Sequence, residues 1–199
     1  MAVSDLVLAM TGASGAPYGV RLLEVLLRAG RTVHLVLSPA ALQVIEQELD
    51  RKIDGAHFRL ADLLPNPPDQ GTVIYHDHRN FMAGIASGTF LTGGMVICPC
   101  SSGTAAAIAH GLSQNLIHRA ADVHLKERRK LILVPRETPM SVVQLRNLTT
   151  CAEVGAVVLP ASPGFYTKPH TLADAIDFIV GRVCDQLGVE HQLFQRWSE

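Results

Sequence analysis

In VPRETP, residues 134–139, a basic and an acidic residue stand side by side where an apolar run stops. Arg136 has the planar fork that neutralises an anionic oxygen, and Glu137 can hold or move a proton. The same glutamate also suits the first turn of a helix, where a negative charge offsets the dipole. Arg119 and Lys126 lie seven residues apart in a segment of helical periodicity, so they project from one face. The ERRK run that follows, 127–130, reads as a solvated helix C-terminus. Tyr166 places a phenol on the glycine- and proline-bounded loop GFYTKP, and Arg182 sits in the last helical segment, either reaching back to that loop or facing water.

Two hydroxyl-rich turns accompany these charges. TGASG, residues 11–15, follows a short apolar run and precedes an amphipathic one. It offers backbone N–H groups, the Ser14 hydroxyl and the positive end of a helix, the means by which a phosphate is held; a plain tight turn has the same composition. CPCSSGT, residues 98–104, repeats the arrangement, with Ser38 ending a run between them. Gly12, Gly15 and Gly19 do not form G-x-G-x-x-G, and Ser38 stands where a dinucleotide fold would carry an acid for the ribose. A P-loop is absent, and Ala16 replaces the second glycine of a G-x-S-x-G nucleophile turn. His76-Asp77-His78 lacks an evident third metal ligand, and Asp174 and Asp177 read as the wet face of a helix; no metal is expected.

The elements that must position these groups alternate. Apolar runs at 6–10, 32–37, 72–76, 95–98, 131–134 and 156–159 read as strands. Helical periodicity spans 17–29, 39–49, 102–111, 115–128, 139–154 and 172–187, while the prolines at 65, 67 and 68 leave 50–71 irregular. Alternation predicts an α/β sandwich of three layers around a parallel sheet, with ligands beyond the carboxyl ends of the strands. At 199 residues, 1–199 is expected to be a single domain. A net charge of −1 gives no general attraction for nucleic acid or an anionic membrane. Cys98 and Cys100 are not in C-x-x-C spacing, and no signal-peptide pattern opens the chain, so reduced thiols and a cytoplasmic location are expected. From Asn80 to His118 there is no Asp, Glu, Lys or Arg. That stretch is too interrupted by glycine, serine and threonine for a membrane span; it reads as a floor under a ligand, a subunit contact, or a buried strand and helix.

TGASGAPYGVRLL, the Ser38 strand end, CPCSSGT, RAADVHLKERRKLILVPRETP and GAVVLPASPGFYTKP occur in the order seen in the UbiX-type flavin prenyltransferases, which the chain resembles outside 50–79. The resemblance implies a flavodoxin-like or Rossmann-like fold that binds FMN. It implies an enzyme, a metal-independent prenyltransferase, that joins a dimethylallyl group from dimethylallyl phosphate to N5 and C6 of reduced FMN. It further implies a homo-oligomer, a dodecamer, whose prenylated FMN passes to a separate decarboxylase, in ubiquinone biosynthesis or in aromatic-acid breakdown. By position, Gly12, Ala13, Ser14, Ser38, Ser101, Ser102, Gly103, Thr104 and Arg136 would line the FMN. Glu48, Arg119, Lys126, Arg136, Glu137, Tyr166, Arg182 and Trp197 would surround the prenyl phosphate, with Ser14, Glu48, Lys126 and Glu137 in the catalytic roles. The chain departs from some relatives in carrying Gly103 in place of a lysine, Phe81 in place of a tryptophan, and Glu48 within QELD. A flavin-dependent cysteine decarboxylase of the same fold and a noncatalytic FMN electron carrier are the alternatives. The first would need an early catalytic histidine and a substrate clamp that are not found here.

Overall fold

The computed structural model describes residues 5–197. Six parallel strands form one sheet in the order β3-β2-β1-β4-β5-β6. They are β1 (Leu6–Met10), β2 (Thr32–Leu37), β3 (Thr72–His76), β4 (Gly94–Cys100), β5 (Leu131–Pro135) and β6 (Val157–Val158). The central strands β1, β4 and β5 are buried along their whole length. That is why they read as continuous apolar runs rather than as alternating ones. The edge strands are partly exposed, and β6 is reduced to two residues of the expected 156–159.

Helices cover both faces. α1 (Ala16–Arg28) and α7 (Leu172–Leu187) pack together on one side, over a core that includes Leu8, Leu22, Leu35, Val96 and Val183. α4 (Ser102–Ala109), α5 (Leu116–Lys126) and α6 (Val142–Glu153) cover the other, over Val7, Ile97, Ala120, Leu133 and Cys151. α2 (Pro39–Leu49) lies beside α1, and a single turn, α3 (Leu60–Leu63), interrupts the segment expected to be irregular. Gly19 lets α1 press onto the sheet: a Cβ there would stand 2.3 Å from the Cys98 carbonyl oxygen. The helix expected from residue 139 begins at Val142 instead. Ser141 and Gln144 form a reciprocal capping box there that satisfies the first N–H groups. All four cysteines are free and buried. No helix among the described residues is long and apolar enough to cross a membrane.

Candidate active site

The loops after β2, β1, β4, β5 and β6 lie side by side because their strands do. The chain leaves β1 toward β2 on one side, while β4 pairs on the other, so a crevice opens between the β1 and β4 loops. Thr11 locks the two rims together. Its hydroxyl donates to the Pro99 carbonyl at 2.8 Å and accepts the Ser101 N–H at 2.7 Å. Gly15 has φ 121°, a conformation that favours glycine, and its N–H and that of Ala16 donate to the Glu48 carboxylate at 2.9 and 2.8 Å. Glu48, from α2, therefore caps the first turn. Ser38 caps α2 through the Ala41 N–H, and Ser101 caps α4 through the Thr104 N–H while its hydroxyl donates to the Thr104 side chain.

Across the crevice, Arg136 reaches from the end of β5 to donate through Nε to the Ser14 carbonyl at 3.1 Å. Glu137 accepts from the Ser102 hydroxyl at 3.2 Å and from the Gln144 amide at 3.3 Å, and the same amide donates to Ser102 at 3.0 Å. Gly12, Ser14, Ser38, Ser101, Ser102, Gly103, Arg136 and Glu137 are thus gathered at one end of the sheet, with Ala13 and Thr104 buried just behind. The rim suits a planar, phosphate-bearing ligand. Gly12 and Gly103 are exposed and present bare backbone, and a Cβ on Gly103 would meet nothing within 4 Å. Hydroxyls and one guanidinium supply the donors.

Tyr166 belongs to a second feature, above α7. Its ring stands edge-on to Phe178 and to Trp197, with centroids 5.7 and 5.2 Å apart. Tyr166, Trp197, Lys168 and Arg196 help to line a cleft of about 470 Å³. Arg182 donates to Asp185 at 3.0 Å.

Arg119 and Lys126 do share a helix, α5, but it covers the opposite face of the sheet from α7. Arg119 donates to the Ala86 carbonyl at 3.0 Å and to Asp122 at 2.9 Å. Lys126 pairs with Glu127. It lies at the amino ends of the strands, near Lys130, whose carbonyl accepts the Met95 N–H. Within one chain Lys126 is therefore remote from Ser14, whereas Arg119 lies about two turns nearer the other end of α5, whose first residue, Leu116, donates its N–H to the His78 carbonyl just beyond β3.

Two contacts of the site, those of Gln144 and Thr11, escape sequence reading. Gln144 carried a signal, the S-x-x-Q capping box, which the longer helix expected from 139 obscured. Thr11 opens the TGASG turn, but its bracing of Pro99 and Ser101 is a contact distant along the chain that nothing local marks. His76 turns to His34 at 2.9 Å, and no group of three potential metal ligands occurs among the described residues.

A flavoprotein family profile matches residues 2–184. The flavin prenyltransferase UbiX of Halalkalibacterium halodurans is 46% identical over 190 residues, which are 96% of this chain and 91% of that protein. The chain belongs to the flavin prenyltransferase family. Among solved structures, this family member is 39% identical to AnUbiX (PadA1) in complex with FMN and dimethylallyl pyrophosphate, with a TM-score of 0.88 over 98% of both chains. It is 40% identical to a dodecameric FMN-dependent UbiX-like decarboxylase from Escherichia coli O157:H7, with a TM-score of 0.84 over 98% of this chain and 100% of that one.

Proposed function

We propose that this flavin prenyltransferase family member joins a dimethylallyl group, from dimethylallyl phosphate, to N5 and C6 of reduced FMN. The observation that carries the reading is the Glu137 cluster. A carboxylate held by Ser102 and Gln144 adjoins Arg136 on the rim that presents Ser14, Ser38 and bare glycine backbone. FMN, held by Gly12, Ala13, Ser14, Ser38, the Ser101–Thr104 turn and Arg136, supplies the nucleophilic nitrogen and carbon.

The residues of the chain then have distinct tasks. Phosphate leaves carbon readily only when its charge is neutralised, and Arg and Lys do this through charge-assisted hydrogen bonds. Arg136 and Arg182 are offered by this chain. Lys126, at the far end of the sheet, and Arg119, on the same helix with its guanidinium held by the Ala86 carbonyl and Asp122, would come from a neighbouring copy of the chain. The dodecameric relative is in keeping with that requirement, as are the exposed apolar side chains Phe81, Met82 and Leu91 in the charge-free stretch. Tyr166 and Trp197 present π faces to the positive character that develops on the allyl group. Glu137 hands a proton to the departing phosphate or takes one at C6. Ser14 hydrogen-bonds near N5, and Glu48 fixes the turn that carries Ser14 and assists proton movement. The prenylated flavin passes to a decarboxylase in the cytoplasm. Incubation with reduced FMN and dimethylallyl phosphate tests the reading, because a noncatalytic carrier or a cysteine decarboxylase would return the flavin with its mass unchanged.

A further inference from the structure

Gly188 ends α7 in the left-handed conformation, φ 66°, and the chain turns back along the helix it has just left. The returning segment is seated by a notch. Gly181 on α7 is buried, and a Cβ there would stand 2.4 Å from a Phe194 ring carbon and 2.7 Å from a His191 ring carbon. Phe194 packs on Phe178 with centroids 5.3 Å apart, and Phe178 carries Tyr166. One carboxylate fastens the arrangement. Asp185 receives Arg182 on Oδ2 at 3.0 Å, and on Oδ1 it receives His191 at 3.1 Å and Arg196 at 2.8 Å. His191 Nδ1 accepts the Leu193 N–H, which leaves Nε2 to donate to Asp185. Burial pushes the Asp185 carboxyl up, and the hydrogen bonds from Arg196 and His191 more than offset this, so it stays ionised and sits below its ordinary value. Arg196 directly precedes Trp197, whose ring rests on Tyr166.

We propose that Asp185 is a positioning residue: it orients Arg182 on α7 and, through His191 and Arg196, latches the returning segment into the Gly181 notch, so that Trp197 is held on Tyr166 over the cleft that takes the prenyl phosphate. The proposal rests on the reading of Tyr166, Arg182 and Trp197 as prenyl-phosphate residues. Asp185 lines neither that cleft nor the FMN rim, so its effect is transmitted entirely through Arg182 and the segment.

Trp197 is the one tryptophan of the chain, which gives a readout independent of activity. In Asp185→Asn, the fluorescence anisotropy of Trp197 should fall toward that of a free segment. The KM for dimethylallyl phosphate should rise about tenfold or more, the scale of a lost charge-assisted hydrogen bond, with FMN affinity unchanged. Asp185→Glu should restore part of both. Should Asp185→Asn fold poorly, Gly181→Ala leaves the carboxylate in place and blocks the notch, and it should show the same paired change. Wild-type anisotropy in either folded variant overturns the latch, even where KM rises, because the effect would then not pass through Trp197. A wild-type enzyme that fails to prenylate FMN would overturn the functional reading instead, and the anisotropy would still decide whether Asp185 holds the segment.

Discussion

Glu137 and Glu48 are two carboxylates near one crevice with different surroundings, and those surroundings separate their tasks. Glu137 accepts from two side chains, Ser102 and Gln144, and stands at the rim. Replacing it with glutamine keeps the shape and removes the proton-carrying group. We predict that Glu137→Gln slows adduct formation about a hundredfold in single-turnover measurements, with FMN binding retained. A normal rate would remove the proton-transfer role. Glu48 spends its carboxylate on the Gly15 and Ala16 N–H groups. Glu48→Ala leaves these helix N-terminal donors without their acceptor and should lower stability by about 1–2 kcal/mol, read as a shift in denaturant midpoint without a change in slope. Arg136 and Glu137 were legible in the sequence because a charged pair at the end of an apolar run marks a strand end, where ligands bind. The capping by Glu48 was not, because its partners lie 32 and 33 residues away and only the packing of α2 beside α1 brings them together.

Among the elements, the close seating of α1 on the sheet is the tightest constraint. A methyl group on Gly19 would enter the space of a backbone oxygen, which cannot rotate away. Gly19→Ala should therefore cost about 2 kcal/mol or more, and it should also weaken FMN binding because α1 carries the first turn; thermal unfolding with and without FMN checks both. The second constraint concerns the histidines. Burial lowers the pKa of His76, with a further lowering from His34, and burial likewise lowers His118 and His124. Folded, these groups bind protons less readily than the unfolded chain does, whose histidines titrate near 6.5. Their contribution is thus fully present above that pH and is lost as the pH falls through and below it. We predict that the unfolding midpoint falls between about pH 7 and 5.5, before carboxylates titrate, and that His118→Gln reduces the fall. A flat profile over that window would contradict the assignment. Strand and helix order was readable from periodicity and glycine punctuation, since each buried strand is one apolar run. The limits of α6 and β6 were not, because a capping box and an edge position decide them rather than composition.

For the whole molecule, the decisive feature is that the charges we propose for the reaction fall at both ends of one chain's sheet. Ser14, Arg136 and Glu137 gather at the carboxyl ends, while Lys126 lies at the amino ends. Linear order shows which residues are present and cannot show which end of the sheet each one reaches; the separation of Lys126 from Glu137 within one chain was invisible before the fold was known, and their meeting across copies is our proposal. We predict complementation. Lys126→Ala and Glu137→Gln are each impaired alone, and oligomers reassembled from an equal mixture should regain a measurable fraction of wild-type rate, since some sites then combine an intact Lys126 with an intact Glu137. No recovery in verified mixed oligomers would place Lys126 outside the site. The most direct test of the central claim is the mass of the flavin recovered after anaerobic incubation of the wild-type protein with reduced FMN and dimethylallyl phosphate. We expect a flavin heavier by one C5H8 unit with release of phosphate, and recovery of FMN at its original mass with the ester intact would contradict prenyl transfer.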